Sequence, residues 1–342
     1  MTARKASGGD GLRLTAIDAH TAGEPLRLIT GGLPPLGGRT ILEKRRHFRE
    51  AFDNLRTALM WEPRGHADMY GCVLTEPERP DSHCGVLFLH NEGYSTMCGH
   101  GIIALTKVAL EEGLVGLPAG TPELRIDTPA GLVVARARWE GRRVAEVAFT
   151  NVPSFVLALD REVDVPGIGC LRVDVAFGGA FYAFCRAEGL GLRLVAEEFR
   201  ELIDVGMRVK RAVMAALEIR HPFEPDLAFL YGTIIVGPAL DPRHGSRNVC
   251  IFAEGEVDRS PTGTGVSARA ALHYARGELK LGEPFVVESL LGTTFSGRVL
   301  REAVCGPYPA VVPEVTGSAH ITGRSEFWLD PEDPLRHGFI LR

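Results

Sequence analysis

The sequence has no Cys-x-x-Cys pair and no cysteine–histidine spacing that matches a structural zinc site. Its seven cysteines, at 72, 84, 98, 170, 185, 250 and 305, are odd in number and widely scattered, which argues against a dense secreted disulfide framework. There is no long basic block. Lys and Arg number 38 against 43 Asp and Glu, a formal net charge of −5, so nucleic acid and anionic membrane are poor partners. No apolar run is long enough to cross a bilayer: the most apolar stretch, Leu227–Val236, is interrupted by Tyr231-Gly-Thr233. Met1–Asp10 has no apolar signal core. These absences lead to the expectation of a soluble, cytoplasmic protein with reduced thiols, acting on a small molecule.

Against those absences, 45% hydrophobic and 24% charged residues make an ordinary globular balance, and 342 residues correspond to about two domain units. Forty glycines without a three-residue period point to tight turns and close backbone approaches. Short apolar runs bounded by Gly, Pro or Asp predict strands at Leu12–Asp18, Leu26–Thr30, Tyr70–Thr75 and Val86–His90. Leu124–Asp127, Leu132–Arg138 and Arg143–Phe149 read as a meander, followed by strands at Leu171–Phe177, Phe181–Cys185, Leu227–Val236, Val249–Ala253 and Arg298–Ala303. Ile41–Leu59 carries one apolar stripe and predicts a helix whose Lys44-Arg45-Arg46 run forms the solvated face. Val195–Arg220 predicts a second amphipathic helix, long or kinked near Gly206.

One internal echo organises the chain. Cys98-Gly-His-Gly101 opens a segment that closes at Gly113, and Thr262-Gly-Thr-Gly265 opens another that closes at Gly277, with an offset of 164 residues. Both read as helices stopped by glycine, and seven of the nine residues Ile102–Leu110 are apolar, as a helix buried nearly all round requires. A repeat of this kind predicts two similar α/β domains, each wrapping mixed strands around a central helix whose N-terminus opens on a shared cleft. A helix N-terminus offers unpaired N–H groups and partial positive charge, so two of them can clamp one small carboxylate. Neither segment is a P-loop, which needs Gly-Lys-[Ser/Thr], and neither matches GxGxxG, so phosphate and dinucleotide binding are disfavoured.

Cys98 stands just before the first of these helices, a position expected to lower a thiol pKa and make it a base or nucleophile. The other six cysteines are expected to be small buried hydrophobes. His100, two residues on, is placed to hydrogen-bond a ligand or the thiolate, or else is a satisfied core histidine. Asp258 is a second nearby ionisable group, or a turn residue in Asp-Arg-Ser-Pro. His20 with Glu24, His66 with Asp68 and His83 with Cys84 have spacings of no standard metal-ligand set.

At these residues the sequence resembles the proline racemase family. Met97-Cys98-Gly99-His100 and Asp258-Arg259-Ser260-Pro261-Thr262-Gly263-Thr264-Gly265 carry the likeness, with Asp18–Pro25, Glu62–Gly71 and Phe177–Tyr182 in support. The resemblance implies a diaminopimelate-epimerase-like α/β fold of two pseudo-symmetric domains, here 11–157 and 158–326, with 327–342 returning to the first. It also implies a homodimer with no metal and no organic cofactor. Racemases of the family use two cysteines on opposite faces of Cα. Here Cys98 is kept and Thr262 stands where the second thiol belongs, and a hydroxyl is too weak an acid to replace it. The resemblance therefore implies the branch that dehydrates trans-3-hydroxy-L-proline with one base. Cys98 and Thr262 are then catalytic, and Gly99, His100, Asp258, Gly263 and Thr264 hold the substrate. Three alternatives remain. One is a proline or 4-hydroxyproline racemase or epimerase using water as its second acid–base group. Another is a Cys98/His100 hydrolase, against which the two-residue spacing and the want of an orienting group are held. The last is a non-catalytic amino-acid-binding protein derived from a racemase.

Overall fold

Runs that alternate apolar and polar residues become strands, and the two glycine-led apolar segments become the helices they enclose. The computed structural model describes residues 11–341; Met1–Asp10, on which the signal-core expectation rests, and Arg342 lie outside them. The first half begins with a hairpin, β1 (Leu12–Thr21) and β2 (Glu24–Gly31), turning at Ala22-Gly23 with φ of 54° and 99°. Helices α1 (Ile41–Ala51) and α2 (Asp53–Met60) lead to β3 (Tyr70–Thr75), β4 (Cys84–His90) and β5 (Gly93–Ser95). Then come α3 (Gly99–Glu111) and a meander of β6 (Glu123–Thr128), β7 (Gly131–Glu140) and β8 (Arg143–Thr150).

The second half repeats that order. It runs β9 (Ser154–Val165), β10 (Gly169–Phe177), β11 (Phe181–Arg186), α4 (Phe199–Ala216), β12 (Leu230–Gly237), β13 (Ser246–Phe252) and β14 (Glu256–Asp258). Helix α5 (Gly263–Ala275) follows, then β15 (Pro284–Glu288), β16 (Thr294–Cys305), β17 (Tyr308–Gly317) and β18 (Ala319–Leu329). Pairing signs repeat as well. β1–β2 is antiparallel, β2–β3 parallel, β3–β4 antiparallel and β4–β6 parallel; β10–β11, β11–β12, β12–β13 and β13–β15 follow the same sequence. In the second half β17 pairs with β9, closing eight strands into a ring around α5. In the first half β18 returns to pair with β1 in antiparallel register, Leu12 opposite Leu329.

The two central helices are buried along almost their whole length, Gly99–Leu110 in α3 and Gly263–Leu272 in α5. Lys107, inside α3, is tolerated because its Nζ donates to Val144 O at 2.8 Å and to Glu111 Oε1 at 2.7 Å. A second core lies beneath α1 and α2, where Phe48, Leu55, Leu59 and Met60 pack with Leu14, Leu87 and Leu329.

Several expectations are corrected. The single helix expected over Ile41–Leu59 breaks at Phe52, with φ −134° and ψ 18°, into α1 and α2. Lys44-Arg45-Arg46 is not a solvated face. Lys44 is buried with Nζ donating to Glu76 O at 2.5 Å, Arg45 is half-buried with Nη2 donating to Tyr94 O at 3.0 Å, and only Arg46 is exposed. Lys44 and Arg45 are covered by the chain around Glu76 and Tyr94, while Arg46 Nε reaches the second half and pairs with Asp226 Oδ2 at 2.9 Å. Helix α4 starts at Phe199, after a 3₁₀ turn over Ala196–Glu198, and runs on through Gly206. Glycine is needed there because a Cβ would stand 2.8 Å from Ile251 Cβ. Strand β12 begins at Leu230, since Pro225–Leu227 forms a 3₁₀ turn.

Candidate active site

The N-termini of α3 and α5 meet head to head. A Cβ on Gly99 would lie 2.5 Å from Gly263 Cα, so only glycine permits the approach. Cys98 is the N-cap of α3, its sulfur accepting from Gly101 N at 3.2 Å. Thr262 is the N-cap of α5, and it sits at φ 64°, a conformation that a β-branched residue adopts only under constraint. Its Oγ1 is buried with no hydrogen-bond partner. A native buried hydroxyl left unpaired in this way marks a place for a ligand or water atom. The amides at the start of each helix have no intrahelical acceptor and converge on the same point.

These caps bound a narrow cavity, and Cys98, Gly99, His100, Asp258, Thr262, Gly263 and Thr264 all line it. His100 Nδ1 lies 3.2 Å from Cys98 Sγ, and the Pro25 carbonyl accepts from the imidazole ring. This geometry corrects the objection that residues two apart cannot pair and that nothing orients the histidine. Thr21 Oγ1 adds a 2.8 Å bond to the His100 carbonyl. Asp258 is both a turn residue, Oδ1 accepting from Ser260 N at 2.8 Å, and a wall of the cavity.

Electrostatics correct a second expectation. Burial pushes the Cys98 thiol well above its usual range; the Gly101 amide opposes this, and Asp258 adds to the rise. Burial also lowers the His100 pKa. The helix N-terminus alone therefore does not draw the thiol down, because burial outweighs it. Behind Asp258, the fully buried Glu24 accepts from Arg259 N at 2.8 Å while its Oε1 has no partner. Burial and the Asp258 charge raise its pKa well above the carboxylate range.

Other lining residues escaped the sequence reading. Tyr70, Tyr182, Tyr231, Phe252, Met97 and Cys250 share the cavity. Tyr70 OH donates to Ser95 Oγ, which lies 2.7 Å from Tyr231 OH, and Tyr182 OH lies 2.6 Å from Thr264 Oγ1. Tyr70 and Tyr182 stand in segments that the resemblance already marked, which was the available signal. Of the remaining cysteines, 72, 84, 185 and 305 are buried as expected, but Cys170 is exposed and Cys250 faces the cavity beside Thr262. Among the described residues no three His, Cys, Asp or Glu side chains are grouped to hold a metal ion.

The sequence pattern of the family described as proline racemase matches residues 16–340. The chain is 51% identical over 335 residues to a trans-3-hydroxy-L-proline dehydratase of Homo sapiens, covering 96% of this chain and 95% of that one. It is 46% identical to a 3-hydroxyproline 2-epimerase of Burkholderia multivorans, with 96% and 98% covered. Among solved structures, a hydroxyproline epimerase from Agrobacterium vitis with bound trans-4-hydroxy-L-proline superposes with a TM-score of 0.91 at 30% identity, covering 98% and 97% of the two chains.

Proposed function

Because the chain belongs to the proline racemase family, we propose that it dehydrates trans-3-hydroxy-L-proline to Δ1-pyrroline-2-carboxylate with Cys98 as its single base. The observation that carries this reading is the pair of helix caps: a thiol at Cys98 and, across the cavity, a hydroxyl at Thr262. The substrate carboxylate lies on the amides of Gly99, His100, Gly263 and Thr264, whose dipoles stabilise the charge that grows as Cα–H breaks. Asp258 keeps the ring nitrogen protonated, while His100, whose ring donates to the Pro25 carbonyl, is left to face Cys98. The arriving cation supplies what the empty cavity lacks. It offsets the Asp258 charge, and the Cys98 proton passes to His100 Nδ1, 3.2 Å away. The thiolate takes the Cα proton. The C3 hydroxyl then leaves as water, with Thr262 Oγ1 donating to it or relaying a proton through water, and the enamine tautomerises to the imine. Every step uses groups of the chain, so we assign no cofactor. We further assign the cytoplasm, a homodimer, and two lobes, 11–157 with 327–342 and 158–326, each presenting one cap.

Proton NMR in D₂O with trans-3-hydroxy-L-proline, L-proline and trans-4-hydroxy-L-proline tests the reading. Loss of the 3-hydroxy compound with growth of the imine, and no inversion of the others, is expected; inversion at Cα without elimination would overturn it. One observation favours that second outcome. Cys250 adds a second thiol to the cavity beside Thr262, and one relative bears an epimerase name. Burial and Asp258 hold Cys250 well above the usual thiol range, and it caps no helix, so it is the poorer acid–base group. Should inversion appear, its loss in Cys250→Ser would assign the second base there.

A further inference from the structure

The side chains that line the catalytic cavity are buried, so a substrate meets the protein surface first. Beside the cavity a groove opens between α1 and α2 on one side and α4 on the other. Its charges are unequally answered. Arg56 is held by Asp53 through two bonds of 2.7 and 2.9 Å, and Glu254 lies 3.9 Å from Arg211. Arg45 and Lys210 have no such partner among the described residues. Arg45 spends Nη2 on the Tyr94 carbonyl and leaves Nε buried without a partner. Lys210, 8% exposed, donates to the Ala253 carbonyl at 2.6 Å and makes no ion pair. Burial lowers both pKa values, and the nearby charges of Asp226 on Arg45 and of Glu254 and Glu256 on Lys210 offset this only in part. They come from α1 and α4, helices that occupy the same place in the two halves, between the second and third strands of the repeat.

Tyr231 connects this groove to the chemistry. Its ring lines the groove on one side and the catalytic cavity on the other. Its hydroxyl lies 2.7 Å from Ser95 Oγ and its ring stacks on Phe252, so this one side chain stands between the two spaces. We propose that the groove is a second anion site, where Arg45 and Lys210 take the carboxylate of a small amino acid before Tyr231 admits it to the cavity. The identity of that amino acid rests on the dehydratase reading; the oxyanion chemistry does not.

The test uses the full chain with Arg45→Gln, Lys210→Gln and the double variant, each checked by circular dichroism melting. With trans-3-hydroxy-L-proline, kcat/KM of the double variant is expected to fall roughly tenfold while kcat holds, and the deficit to shrink at about 0.5 M salt. A second arm needs no turnover. At constant ionic strength, sodium acetate should raise the wild-type melting temperature saturably, and this rise should diminish in each single variant and further in the double, down to the share that the two helix caps hold. Equal stabilisation of wild type and variants, or kcat falling together with kcat/KM, overturns the proposal. Stabilisation by sodium phosphate but not by acetate would make the groove an inorganic-anion site and would overturn its role in entry. A wild-type protein that leaves trans-3-hydroxy-L-proline unchanged sinks the dehydratase reading, while the acetate arm still decides the groove. If the double variant fails to fold, the single variants carry both arms.

Discussion

At the scale of single residues, Cys98 and Glu24 illustrate how burial sets protonation. A thiol held above its usual range is protonated in the free protein at neutral pH, and the proposed mechanism has the substrate cation draw its pKa down in the complex. The acid limb of kcat/KM, which reports free protein, should therefore lie above the ordinary thiol value of about 8.5, and that of kcat at lower pH. A pH–rate series on wild type checks both positions, and a kcat/KM limb in the usual thiol range would contradict the assignment. Cys98→Ala should fold normally yet lose at least about 10²-fold in turnover, measured by imine formation against melting temperature. Glu24 gives a stability prediction. Its folded pKa is raised above the unfolded value of about 4.3, so folding takes up a proton at higher pH, and stability falls as pH rises past that value. Glu24→Gln carries no such linkage. Its melting temperature should match or exceed wild type, with the advantage growing from pH 5 to pH 8. Cys98, His100, Asp258 and Thr262 were legible in the sequence because each sits in a short motif at a helix start. Tyr70, Tyr182 and Tyr231 were not, because three separate strands bring them in and an isolated tyrosine carries no spacing to read.

Among elements, the contact between α3 and α5 is the most demanding. Gly99→Ala places a methyl 2.5 Å from Gly263 Cα and 3.0 Å from Phe149, so the two helix starts must separate. A cost of about 1–3 kcal/mol in denaturant unfolding is expected, together with a collapse of turnover, since the amides no longer converge. Turnover at the wild-type rate would show that the close approach is not needed. The repeat predicted these two helices well: both are 13 residues long and begin one residue after the cap. The strands that escaped prediction have physical excuses. β17 carries Pro309 and Pro313, which argue against a central strand, yet Pro313 sits beside a register shift where its missing N–H breaks no ladder bond. β9 passes through the charged run Asp160-Arg-Glu-Val-Asp164, and β18 alternates half-buried with exposed residues over most of its length, so neither shows the apolar run on which strand prediction depends.

For the whole molecule, β17 belongs to both halves, pairing with β16 along one edge and, along the other, with β9 at Ala310 and Val311 and with β8 at Glu314–Gly317. The halves should not unfold separately. Calorimetry should show one transition with equal calorimetric and van't Hoff enthalpies, and two resolved transitions would refute the coupling. Truncation after Gly317 removes β18 and exposes the β1 edge, so it should yield insoluble or unfolded protein, checked by expression and circular dichroism. The echo of 164 residues revealed that there are two similar halves, but not that they share a strand, because sharing is a matter of pairing rather than of pattern. The seam between Gly99 and Gly263 has a longer reach. It is built from main chain alone, so the donors gathered there are indifferent to which side chains stand at the two caps. On the proposed reading, replacing a cap residue alters the reaction while leaving the hold on the substrate where it was. A lineage built on such a seam can exchange one chemistry for another in a single step, without passing through an ancestor that binds nothing.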